Sequence, residues 1–169
     1  RHVRLMAPLL YDPVKAVRTE ASARLAGPPS RLLAEDQRRV FEQTLQEYIA
    51  SMEYSGDFAF GRFNLGNLYV ALGQPQQAID NFKAAINIDD LSYPAKVNLA
   101  MLYNQMGRNA DAETLLREVV KAYPALYDVQ YSLGLLLAEE KKYIEAEQHL
   151  ALAARGIPDG SRVQYNPGV

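Results

Sequence analysis

Small and bulky apolar positions recur along this chain with a period of 34 residues. Gly66, Ala100 and Gly134 stand 34 apart, and each is followed twelve positions later by alanine: Ala78, Ala112 and Ala146. Four further on come Phe82, Leu116 and Leu150. Between these anchors the apolar residues fall at helical spacing, so each period reads as helix, turn, helix. The first unit predicts helices over about residues 60–72 and 75–88, with Gly73 closing one and Pro75 opening the next. The second has Gly107 as its stop, a helix over about 109–123, and Pro124 to end it. In the third, Lys141 or Lys142 stands where the glycine was, which predicts a tighter or strained turn before a helix over about 143–155.

The pattern also predicts what packs. Two helices approach closely only where side chains are short, so each early small residue is expected to face the alanine twelve positions on. Leu65, Tyr69 and Phe82, then Leu99, Tyr103 and Leu116, then Leu133, Leu137 and Leu150 are the expected core layers. Residues 1–58 lack the period. Asp12-Pro13 suggests a helix cap and first-turn proline, Val14, Val17, Ala21 and Leu25 follow at helical spacing, and Gly27-Pro28-Pro29 stops that helix. Val3, Leu5, Met6, Leu9 and Leu10 suit the end of an earlier helix. A long helix is expected over about 34–54, with Phe41, Leu45, Tyr48, Ile49 and Met52 on one stripe.

These units resemble the tetratricopeptide repeat (TPR). Leu65-Gly66, Tyr69, Ala78, Phe82 and Ala85 carry the resemblance in the first unit; Leu99-Ala100, Tyr103, Ala112, Leu116, Val119 and Pro124 in the second; Leu133-Gly134, Ala146, Leu150, Ala153 and Pro158 in the third. The chain lacks the family's tryptophan, and Leu137 replaces a tyrosine. The resemblance implies an all-α fold: a right-handed α-solenoid of antiparallel helical hairpins. Asp12-Pro13, Val17-Arg18 and the run from Ala21 to Leu25 are similar to a HEAT repeat. The expected organisation is a HEAT-like helical pair over 1–30, a long bridging helix over 31–58 acting as a degenerate TPR-like half-unit, three TPR units over 59–92, 93–126 and 127–160, and the start of a fourth over 161–169, where Gly168 lies 34 beyond Gly134. The chain opens on Arg1 inside a helix-like pattern, so it is expected to be a segment of a longer protein. An array cut inside its fourth unit would expose the end of the third, where a homodimer could form.

Composition narrows the chemistry. Eighteen Lys and Arg against twenty Asp and Glu, a net charge of −2, argue against a nucleic-acid partner. The absence of cysteine excludes disulfides, thiolate metal sites and cysteine nucleophiles within the segment. No apolar run reaches the roughly 20 residues needed to insert in a membrane. The two histidines, His2 and His149, are far apart in sequence and are expected to be solvated. Asp89-Asp90 and Glu139-Glu140 are adjacent carboxylates, whose side chains diverge and make poor acid/base pairs. The expectation is a non-enzyme with no cofactor and no metal site.

The first helix of each unit would line the concave face that TPR arrays use. The resemblance puts Phe63, Asn64, Asn67, Val70 and Ala71 there from the first unit, Val97, Asn98, Met101, Asn104 and Gln105 from the second, and Tyr131, Ser132, Leu135, Ala138 and Glu139 from the third. Asn64, Asn98 and Asn166 share the 34-residue register, with Ser132 between. An amide donates and accepts at once, so such a ladder could hold an extended peptide backbone; equally, each asparagine could bond within or between neighbouring helices. Asn67 and Asn98 also match two asparagines of the carboxylate clamp that grips chaperone tails. Phe63, Asp128 and Ser132 replace its cations, which argues against Hsp70 or Hsp90 tails as ligands.

The expected function is therefore a protein–protein interaction scaffold binding an extended peptide or a helix in a groove. The alternative is a structural or assembly domain of a larger enzyme or electron carrier. The HEAT-then-TPR order resembles the C-terminal region of some bacterial multihaem cytochrome proteins, which would imply a periplasmic location; without that link the expectation is cytoplasmic.

Overall fold

In the computed structural model, which describes residues 2–156, the described chain is helical with short turns. The helices are α1 (His2–Met6), α2 (Lys15–Leu25), α3 (Glu35–Tyr54), α4 (Ala59–Ala71), α5 (Pro75–Ile88), α6 (Tyr93–Gln105), α7 (Asn109–Ala122), α8 (Tyr127–Glu139) and α9 (Tyr143–Arg155). Two 3-10 turns, Ala7–Tyr11 and Pro28–Leu32, follow α1 and α2. The chain divides into two compact units, with the boundary between Leu102 and Tyr103 inside α6. The segment read as the opening of a fourth repeat, 161–169, lies outside the described residues.

The first unit is built on two crossings. A core of Leu10, Ala21, Leu25, Phe41, Leu45, Tyr48 and Leu68 joins the N-terminal segment, α3 and α4. Gly27, at φ 81°, lies so close to the Ala71 carbonyl that no side chain fits there. Gly61 performs the same service between α3 and α4: a Cβ on it would come 2.8 Å from the Met52 carbonyl oxygen. The predicted cap of α2 is corrected. The helix starts at Lys15, with Val14 as its extended N-cap residue, and Asp12 Oδ1 accepts from the Val14 amide at 2.8 Å in a turn of its own.

The hairpin α4–α5 carries the second crossing. Gly66 faces Phe82 rather than Ala78: a Cβ at Gly66 would come 2.5 Å from two ring carbons. Phe82 is fully buried, flanked by the buried Ala78 and Ala85 on its own helix. In the second unit Gly134 meets Leu150 in the same way, with Leu150 Cγ 2.7 Å from the position of a Cβ. The small residue thus admits the large one sixteen positions on, while the alanines between let the helices close on it.

The turns inside the hairpins share one bonding pattern. Gly73 N donates to Val70 O and Gln74 N to Tyr69 O, Gly107 N to Asn104 O and Arg108 N to Tyr103 O, Lys141 N to Ala138 O and Lys142 N to Leu137 O. This is the Schellman arrangement, which needs a left-handed residue after the helix. Gly73 and Gly107 have φ of 70° and 74°; Lys141 has φ 63°. The third turn is therefore strained in its backbone but not tighter.

Two substitutions test this packing. Gly66→Ala should lower the unfolding free energy by about 1–3 kcal/mol through overpacking against Phe82. Lys141→Gly should raise it by about 0.5–1 kcal/mol, because relief of the left-handed penalty outweighs the entropy of glycine. Urea unfolding followed by circular dichroism reads both, and a neutral Gly66→Ala would refute the crossing as described.

Candidate functional site

The first unit presents Phe63, Asn64 and Asn67 on α4, and Val97, Asn98 and Met101 on α6. Asn98 Nδ2 donates to Asn67 Oδ1 at 2.7 Å, so the two amides bridge neighbouring helices. Asn64 Nδ2 lies 3.6 Å from Met52 Sδ, reaching back to α3. Each of these asparagines is half-buried. The Asn67–Asn98 bond uses one donor and one acceptor; among the described contacts, the Asn67 amide N–H and the Asn98 carbonyl oxygen keep the complementary pair. Phe63 is half-buried with its ring centroid 6.1 Å from that of Phe82, which ties the face to the core. Met101 is 53 % exposed, a flexible apolar side chain with no helix over it within the unit.

The second unit places its predicted residues differently. Asn104 Nδ2 donates to Asn109 Oδ1 at 3.2 Å and to Glu139 Oε2 at 3.3 Å. Ser132 Oγ donates to the Asp128 carbonyl at 3.0 Å, one turn back along α8. Gln105 and Leu135 are exposed, and Tyr131 is half-buried.

Sequence reasoning missed a polar network in this unit. Glu113 of α7 accepts from Arg117 Nε at 2.7 Å and from Lys142 Nζ at 2.6 Å. Arg117 also pairs with Glu145 of α9, and Lys142 with Glu140 at 2.7 Å. Burial pushes the Glu113 carboxyl up, but hydrogen bonds involving Lys142, Arg117 and Glu140 outweigh it and hold the group at about 2. Only the four-residue spacing of Glu113 and Arg117 signalled any of this. His149 also departs from its expected solvated state. Its Nδ1 lies 2.7 Å from Oε1 of the buried Gln130, whose Nε2 donates to the Pro124 carbonyl at 3.1 Å. Burial, and then the Arg117 guanidinium, pushes the His149 pKa down. Among the described residues no group of His, Cys, Asp and Glu could hold a metal ion, and no helix is long and apolar enough to cross a membrane.

Helical hairpins closed by a Schellman turn, with a small residue opposite a large one, define a class of repeat protein. Residues 69–132 match the family model described as tetratricopeptide repeat, so that stretch carries the TPR pattern. A curated relative, Protein bimA of Emericella nidulans, is 30% identical over 88 residues, covering 52% of this chain. The chain spans 11% of that protein's length. Among solved structures, MamA aligns with a TM-score of 0.64 at 17% identity over 91% of this chain and 85% of its own. YrrB, described as a TPR protein with an unusual peptide-binding site, aligns with a TM-score of 0.60 at 20% identity over 86% of this chain and 69% of its own. At these identities the likeness to the solved structures establishes the all-α repeat fold.

The acid response tests the Glu113 network. A carboxylate held below its ordinary 4.5 contributes stability that is complete above that value and is lost as pH falls towards about 2. Glu113→Gln should therefore destabilise the protein at pH 7, and its deficit relative to the parent should shrink as pH falls through this window. Thermal melts across the pH range read the difference, and a deficit independent of pH would contradict the network.

Proposed function

We propose that this chain is a protein-interaction module that holds an extended peptide on the α4–α6 face of its first unit. TPR proteins as a class offer helical faces to other proteins, and the peptide-binding site in the description of YrrB supports a peptide as the partner here. The observation that carries the reading is the Asn98–Asn67 bond at 2.7 Å. It fixes both amides and leaves one N–H and one carbonyl with the polarity that a peptide group's C=O and N–H require. Fixing them beforehand lowers the side-chain entropy lost when a ligand binds. Met101 and Val97 beside them would take apolar side chains, with Phe63 as the rigid floor and Asn64 as a further amide at the α3 edge. In the second unit, Asn104, Gln105, Tyr131, Ser132 and Leu135 are the corresponding candidates, with Asn104 and Glu139 already engaged to one another.

The carboxylate-clamp reading finds no cation in its place: Phe63 holds one of those positions in the first unit, and Asp128 and Ser132 the others in the second. The ligand on the Asn67–Asn98 face is therefore read as peptide backbone, recognised largely without regard to sequence, with preference at the positions facing Met101 and Val97.

A peptide array probed with the whole chain, followed by fluorescence anisotropy on the best binder, tests this. The double substitution Asn67→Ala with Asn98→Ala should weaken affinity roughly tenfold or more, the loss of two peptide hydrogen bonds. Unchanged affinity in a variant with an unchanged melting curve would sink the proposal.

A further inference from the structure

The first unit carries an apolar edge at the end of the α4–α5 hairpin opposite its Schellman turn. Gly66 and Phe82 meet on either side of Gly73, so α5 returns antiparallel beside α4. Measured from that crossing, the start of α4 at Ala59 and the end of α5 at Ile88 both lie about 10 Å along the helices. The turn from α3 into α4 and the turn from α5 into α6 therefore share one end of the unit. Large apolar side chains stand out of both: Tyr54 is 92 % exposed, Phe58 63 %, Phe60 53 % and Leu91 66 %. The rings of Phe58 and Phe60 stack, with centroids 5.9 Å apart.

Two of these residues run against their local structure. Phe58 is the N-cap of α4, with φ −108°, ψ 142° and no side-chain cap bond. Serine, threonine, aspartate or asparagine there would satisfy an open amide of the helix, so phenylalanine forgoes stability while most of it stays in solvent. Leu91 sits in a turn closed by Asp89, whose Oδ1 accepts from the Leu91 amide at 3.1 Å, where a polar residue is the usual occupant. A cluster of exposed apolar groups is a mark of contact with another protein. The charge around it says what kind. Glu53, Asp57 and Asp90 are exposed, and none makes an ion pair among the described residues. The cations of this end are committed: Arg62 Nε donates to the Gly56 carbonyl at 3.1 Å, and Lys96 on the first turn of α6 is already engaged.

We propose that this edge docks a cationic, apolar segment of another protein. Aliphatic side chains of the segment rest on Phe58, Phe60 and Leu91. Its Lys or Arg stems cross the ring faces, and their charged heads pair with Glu53, Asp57 and Asp90. The unbalanced carboxylates repel nucleic acid and anionic lipid, which leaves protein as the partner class. The edge is separate from the Asn67–Asn98 pair and uses different chemistry.

Isothermal titration calorimetry of the whole chain tests the edge with three synthetic peptides. One has Leu and Arg at amphipathic helical spacing, the second carries Ser for every Leu, and the third Glu for every Arg. The first should bind saturably, and each of the others at least tenfold more weakly. Phe58→Ser with Phe60→Ser should weaken the first peptide about tenfold, with a melting temperature at or above the parent's, because serine caps α4. Leu91→Ser should weaken it several-fold, and Asp57→Asn with Asp90→Asn should do the same while flattening its salt dependence. Asn67→Ala with Asn98→Ala should leave it unchanged, so this edge and the α4–α6 face fail or stand separately. Equal binding of either control peptide, no saturable binding, tighter binding to phosphatidylserine vesicles, or full affinity in the folded Phe58/Phe60 or Leu91 variants would each overturn the assignment.

Discussion

Two helices joined by a tight turn can bury a phenylalanine ring between them only if one helix offers no side chain where the ring lies. Gly66 makes that space for Phe82, and Gly134 makes it for Leu150. The close crossing sets the separation of the hairpin helices, and with it the direction in which α4 and α8 aim their remaining side chains. The buried faces of these helices go to the crossing, and polar groups such as Asn64 and Asn67 are left on the other side. The face proposed to hold a peptide is thus a consequence of where the ring goes. Phe63 makes the link physical, since its ring sits 6.1 Å from that of Phe82 and continues the core to the surface.

The turn is the second constraint. A Schellman motif requires one residue in the left-handed region, and glycine supplies it twice. Lys141 supplies it once, against its own preference. Its neighbour Lys142 reaches the Glu113 and Glu140 carboxylates from the same turn. The strained residue and the ion-paired residue are adjacent, so the network helps to hold a backbone conformation that the local sequence disfavours.

Much of this was legible in the sequence because the signals are local. The bounds of α5 and α9 follow from Pro75 and from the turn before Tyr143, and the Gly73 and Gly107 caps follow from the 34-residue register. What the register could not show was partner identity across a crossing. It located Gly66 but paired it with Ala78, because small-to-small contact is the simpler expectation; the ring of Phe82 needs the void more than alanine does. The cap of α2 failed for a related reason: Asp12 satisfies the Val14 amide in its own turn, so its side chain is spent before the helix begins. The asparagine positions were visible, but their bonds were not. That Asn98 reaches Asn67, and Asn64 reaches Met52, depends on helix separation, which no periodicity states. His149 and Gln130 lie nineteen positions apart and meet only because α8 and α9 pack together.

The most direct test of the account follows the side-chain amide signals of Asn67 and Asn98 by NMR as a bound peptide is titrated in. Both pairs of amide resonances should shift together and saturate at the same ligand concentration, with Met101 methyl signals moving alongside. Saturable peptide binding that leaves these amides and Met101 unmoved would contradict the account, and would move the interaction surface to another part of the chain.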